Sequence, residues 1–202
     1  MHARPLLLES RRTLAMFAGV WCISFAAQAA PPDFAQLALA KGDTGGLPFA
    51  VIDKAKATLT LYDKSGRLLG VSPVLVGSAE GDDSIDGIGS KPLSQIAPHE
   101  RTTPAGRFLS EPGQNAKGES IVWIDYDSAV SMHRLRPSSP SEKRSDRLAT
   151  PSPLDNRITY GCVNVPAAFY DKVVWPLLGK SHGVVYVLPE LKPAHTRFSF
   201  LN

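Results

Sequence analysis

The chain has 202 residues, 43% of them hydrophobic and 20% charged, with a formal net charge of +3. Three arginines and one glutamate fall in the first 29 residues, so removing that segment lowers the charge to +1 and excludes a general nucleic-acid-binding surface. The 173 residues that would remain suggest one domain, able to bury roughly 70% of its unfolded surface without help from disulfides.

The N-terminus reads as an export signal. Arg4, Arg11 and Arg12 form a positive stretch, Thr13 to Ala27 an apolar run, and Ala27-Gln28-Ala29 the small-x-small pattern of a cleavage site. The run is shorter than the roughly 20 residues of a membrane-spanning helix. A cleaved signal peptide over 1–29 is therefore expected, with no stable membrane insertion afterwards and a periplasmic or secreted location. Trp21 is too bulky for a lipoprotein site before Cys22. Ser10-Arg11-Arg12-Thr13-Leu14 hints at twin-arginine export, with general secretion as the default.

Residues 30–48 form a lead-in with one short helix predicted over Asp33 to Ala40. The domain proper is placed at 49–190 and a tail at 191–202. Phe49 to Asp53 and Thr58 to Tyr62 read as strands, joined to a third over Arg67 to Val76 by the Asp63-Lys64-Ser65-Gly66 turn cluster. Gly77 to His99 is a long loop. Ile121 to Ile124, Ser128 to Met132 and Val184 to Leu188 are further strands. One helix follows Pro166, with Phe169, Val173 and Leu177 on one face and an end or kink expected near Trp175, ahead of Pro176. The class is mainly β, a sandwich or barrel with one short helix after Cys162. Arg134 to Arg157, with six cations against three anions, is a long basic loop insertion. It is either a solvated excursion or a rim that attracts carboxylates.

After cleavage Cys162 is the sole cysteine. In an oxidising compartment a lone thiol is either an inert buried group or a reactive one. Its surroundings, Thr159-Tyr160-Gly161-Cys162-Val163-Asn164, favour the second reading. Gly161 permits a tight backbone approach, and the amides of Tyr160, Gly161 and Cys162 are candidate oxyanion donors. A free thiol is only a few per cent ionised at neutral pH, so a base is required. His133, at the end of an apolar strand, is the candidate for that base. His99 and His195 are expected to be solvated, and His182 sits in a turn with no cysteine after it.

These residues resemble the L,D-transpeptidase catalytic domain family of bacterial cell-wall enzymes. Thr159, Gly161, Cys162, Val163 and Asn164 match that family's Ser/Thr-His-Gly-Cys-hydrophobic-Asn/Arg motif, and Thr103-Pro104-Ala105-Gly106-Arg107-Phe108 is similar to its Thr-Pro-x-Gly-x-Phe segment. The likeness runs from Phe49 to Leu188. It departs at Tyr160, where the family has a histidine, and in the longer gap between His133 and Cys162. The resemblance implies a β-sandwich or barrel and acyl transfer on peptidoglycan stem peptides. Cys162 would attack the carbonyl before a terminal D-alanine and pass the acyl group to an amine, or to water in a carboxypeptidase. It further implies that the backbone carbonyl of Arg134 orients the imidazole. Thr159, Tyr160, Asn164, Arg157 and Arg136 are substrate-binding candidates. No metal or organic cofactor is implied.

Zinc spacing is absent, and Asp82-Asp83-Ser84-Ile85-Asp86-Gly87 is read as a solvated turn, since Leu93 stands where a calcium loop needs a glutamate. A sortase would need an arginine soon after the cysteine, and a papain-like peptidase would place its cysteine before its histidine. The rival from another class is a wall-binding protein that keeps the fold without turnover, motivated by Tyr160.

Overall fold

The computed structural model describes residues 33–136 and 139–202. The expected signal peptide lies outside the described residues. No described helix is long and apolar enough to cross a membrane. Among the described residues the chain is mainly β, with ten strands: β1 Phe49–Asp53, β2 Thr58–Tyr62, β3 Leu68–Pro73, β4 Val76–Gly77, β5 Gly106–Gln114, β6 Ser120–Asp125, β7 Val130–Arg134, β8 Arg157–Thr159, β9 Val163–Val165 and β10 Gly183–Leu188. Eight of them form one sheet in the order β3-β2-β1-β10-β5-β6-β7-β9. The strands β4 and β8 pair separately. Leu75, between β3 and β4, exchanges both backbone hydrogen bonds with Asn164 of β9 at 2.9 Å, so the two ends of the large sheet are tied and it nearly closes.

The strands β1 and β10 lie parallel at the centre and are buried almost throughout. Because strand side chains alternate between faces, such a run must be covered on both. Ala50, Ile52, Val185 and Val187 point into the main core with Leu59, Leu61, Met132, Val163 and Tyr170. Phe49, Val51, Val184 and Tyr186 point outward to a second cluster. That outer face is covered by helix α1 (Phe34–Ala40), which Asp33 caps through the Gln36 N–H at 2.8 Å, and by the C-terminal segment. Phe34 meets Tyr186, Phe198 and Phe200 edge-on at 4.8–5.3 Å. Residues 33–48 and 191–202 thus complete the fold rather than trail from it.

Two expectations need correction, and a third is narrowed. The basic insertion is not all loop: it carries helix α2 (Arg144–Ala149), two 3₁₀ turns and β8. Of the end or kink expected near Trp175, the helix after Cys162 shows no end but a change of winding just before it. Helix α3 (Ala167–Phe169) widens into a π turn at Tyr170–Val174 and continues as α4 (Trp175–Leu178). Proline lacks an N–H and crowds the carbonyl four residues back, and a π turn just before it accommodates both defects. Asp82 is not a solvated turn residue. It is 3% exposed, accepts from the N–H groups of Glu190, Leu191 and Lys192 at 2.8–3.0 Å, and pairs with buried Lys54 at 3.1 Å.

Candidate active site

Cys162 and His133 come together through two short parallel strands. In the β7–β9 register His133 lies beside Asn164 and Met132 beside Val163. The period of two then puts Cys162, Asn164, Ser131 and His133 on one face, in two neighbouring rows. All but Ser131 line an open cleft of about 360 Å³ with Leu93, Arg136, Glu142, Arg144, Thr159 and Tyr160. Cys162 is a free, partly exposed thiol. Its Sγ lies 3.7 Å from both Ser131 Oγ and the Ala129 carbonyl.

The imidazole is held at both nitrogens. Nδ1 is 2.8 Å from the Arg134 carbonyl oxygen. A carbonyl only accepts, so Nδ1 carries the proton and Nε2 presents its lone pair. That lone pair faces Asn164 Nδ2 at 3.3 Å, and Asn164 Oδ1 in turn accepts from Arg144 Nη1 at 2.8 Å. Among the described residues no hydrogen bond joins Sγ to the imidazole. Asn164 occupies the nitrogen that the sulfur would use. Burial lowers the His133 pKa to about 4; the Arg134 carbonyl opposes the shift, while Arg136 and Arg144 add to it. The ring is therefore neutral at neutral pH, the state a base requires.

The loop before the cysteine is fixed by its own hydrogen bonds. Thr159 Oγ1 donates to the Cys162 carbonyl at 2.7 Å and accepts from the Gly161 N–H at 3.1 Å. Thr159 is buried and serves the loop, and the Gly161 amide is not free to meet an oxyanion. The amides of Tyr160 and Cys162 make no hydrogen bond among the described residues. Gly161 has φ +126°, and a Cβ there would lie 2.6 Å from the Thr102 carbonyl oxygen. Gly161→Ala is accordingly expected to cost about 1–3 kcal/mol of stability in urea unfolding. Unchanged stability would mean that the loop is not held as described.

The other expected residues divide. Tyr160 is 39% exposed at the cleft rim, with the Arg101 guanidinium stacked 4.1 Å from its ring centroid. Arg136 lines the cleft and pairs with Glu119 at 2.9 Å. Arg134 contributes its backbone, while its side chain reaches Asp171 at 2.5 Å. Arg157 does not reach the site: its guanidinium is bound by Glu190 and lines a separate hollow with Leu154 and Leu191. Sequence reasoning missed Arg144 and Ser131. Ser131 stands two residues before His133, and strand alternation alone would have placed it. Arg144, in the insertion, carries no local signal.

No protein-family model matches the chain, and neither does any curated protein. Solved structures do. The chain is similar to the helical cell shape determining protein Pgp2 from Campylobacter jejuni, with a TM-score of 0.47 and 16% identity, over 72% of this chain and 49% of that one. It is similar to an L,D-transpeptidase from Mycobacterium smegmatis, with a TM-score of 0.39 and 17% identity, over 69% and 58%. A third likeness is to the catalytic domain of an E. faecium L,D-transpeptidase, with a TM-score of 0.37 and 17% identity, over 70% and 96%. The chain spans about half the length of the Pgp2 chain.

Proposed function

We propose that this protein is an extracytoplasmic cysteine acyltransferase of the L,D-transpeptidase type, acting on peptidoglycan stem peptides. The observation that carries the reading is the placement of Cys162 and His133 on one face of the β7–β9 pair, lining one open cleft, with the Nδ1 proton fixed on the Arg134 carbonyl. In the reaction, the thiol proton passes to His133 Nε2 and the sulfur adds to the carbonyl preceding the terminal D-alanine. The amides of Tyr160 and Cys162 are the donors left for the oxyanion. The imidazolium returns its proton to the departing amine, leaving a thioester on Cys162. An amine of a second stem resolves the thioester, or water does so in the carboxypeptidase variant. Export by the N-terminal signal brings the protein to that substrate. The chemistry asks for no metal or cofactor.

The engagement of Nε2 by Asn164, together with Tyr160 at the family's histidine position, supports a second reading: a wall-binding protein without turnover. One experiment separates the two. A carbapenem is expected to add its whole mass to the wild type and none to Cys162→Ala, read by intact-protein mass spectrometry. A folded wild type that forms no adduct would overturn the enzyme reading.

A further inference from the structure

Arg144 lies in the insertion, 18 residues before Cys162, yet lines the same cleft. Its Nε donates to Glu142 at 2.6 Å and its Nη1 to Asn164 Oδ1 at 2.8 Å. A primary amide held at its oxygen by a guanidinium must turn its NH₂ the other way. Here that direction is His133 Nε2, 3.3 Å distant. The guanidinium therefore decides which end of Asn164 the imidazole meets, and it selects the donor end, which covers the lone pair needed for the Cys162 proton. Were the amide reversed, two lone pairs would face each other. Released from Arg144, the amide loses the partner that fixes its orientation.

We propose that Arg144 is a positioning residue that couples carboxylate binding in the cleft to the freedom of the His133 imidazole. It rests on the reading of Cys162 and His133 as an acid–base pair. With the cleft empty, Arg144 keeps Asn164 over Nε2 and the thiol is unassisted. A substrate carboxylate entering the cleft competes for the same guanidinium, and an ion pair with two opposite charges is stronger than a hydrogen bond from that guanidinium to a neutral amide oxygen. The guanidinium transfers to the carboxylate, Asn164 is released, and Nε2 becomes available to Sγ. Acid chains ending in a carboxylate would switch the site on, and amidated ones would not. The device also keeps an exported thiol quiet until substrate arrives.

The test uses the purified protein, iodoacetamide as a neutral probe of Cys162, and acetate against chloride at matched ionic strength as the carboxylate. Alkylation forms the Cys162 thioether and iodide, with the thiol proton taken up by the imidazole. Acetate is expected to speed wild-type alkylation about fivefold, the equivalent of one neutral hydrogen bond. Arg144→Gln and Asn164→Ala are expected to react at the raised rate in either salt and to ignore acetate. Arg144→Lys, which keeps a cation without the planar fork, should behave like Arg144→Gln. Adding His133→Ala to Arg144→Gln should return the rate to the slow level, which an unfolded chain would not do. An Arg144→Gln protein with the wild-type rate and an intact acetate response would overturn the proposal. Rates indifferent to His133→Ala in every background would instead sink the Cys162–His133 pairing beneath it.

Discussion

His133→Ala is expected to slow acylation of Cys162 by a carbapenem roughly 10²–10⁴-fold, the usual worth of a positioned general base. His182→Ala and His99→Ala should change it less than threefold. Both of those histidines are exposed and neither lines the cleft. The pH profile should be distinctive. A free imidazole titrates near 6.5, but burial lowers this one to about 4. The acid limb of the acylation rate belongs near pH 4, and the rate should hardly change across pH 6.5. The same shift acts on stability. The folded-state pKa lies below the unfolded value, so the unfolded chain binds the proton more tightly. The stabilisation is complete above about pH 6.5, declines as pH falls and is lost through about pH 4. Its size is about 3 kcal/mol from the shift of a 9% exposed group. Urea unfolding at pH 7 and pH 4 should show that loss in the wild type, and a smaller one in His133→Ala. A loss of acylation under threefold in a folded His133→Ala would remove the imidazole from the mechanism.

How much of this was legible in the sequence depends on how strongly each segment declares its own burial. The strands β1 and β2 stand where the apolar patterns of Phe49–Asp53 and Thr58–Tyr62 place them, because each alone carries enough β-branched and aromatic residues. The nine residues of β5, Gly106–Gln114, contain arginine, glutamate, proline and two glycines and declare nothing. They form a strand because β10 pairs with their first half and β6 with their second, so Pro112 falls where only one neighbour needs hydrogen bonds. Tertiary pairing overrides local preference there. The strands β8 and β9 are three residues each, too short for any period to register.

The site divides in the same way. Cys162 and His133 are legible as candidates because their chemistry is rare and their strand context is local. Arg157 was misplaced because it lies two residues from Thr159, while the deciding influence is the distant Glu190 carboxylate. Arg144 was overlooked for the converse reason: it is far along the chain and reaches the cleft only through the path of the insertion. Charge composition marked the insertion as basic, but it could not say which cation turns inward.

Lys54→Met is expected to cost about 3–5 kcal/mol, because it strands the buried Asp82 carboxylate without its cation. Lys54 is 1% exposed and lies 3.1 Å from Asp82 and 3.5 Å from Glu190, with the Gly81 and Thr103 carbonyls as further partners. One ammonium therefore joins β1, the long loop after β4 and the segment after β10. Burial raises the Asp82 pKa, but the Glu190 N–H, Lys54 and the N–H groups of Lys192 and Leu191 outweigh it and hold the value at about 2. The folded value is below the unfolded one, so this contribution is present above pH 3.8 and is lost as pH falls through about 2. Without Lys54 the depression shrinks, and the stability gap between wild type and variant should narrow from pH 4 to pH 2. The damage should reach the cleft as well. Thr103, whose carbonyl accepts from Lys54, donates through Oγ1 to the Gly161 carbonyl at 2.7 Å, next to Cys162. Lys54→Met should thus slow carbapenem acylation even where urea shows the protein fully folded. A variant as stable as the wild type at pH 7, acylated at the wild-type rate, would show that the clamp neither holds the fold nor sets the cysteine.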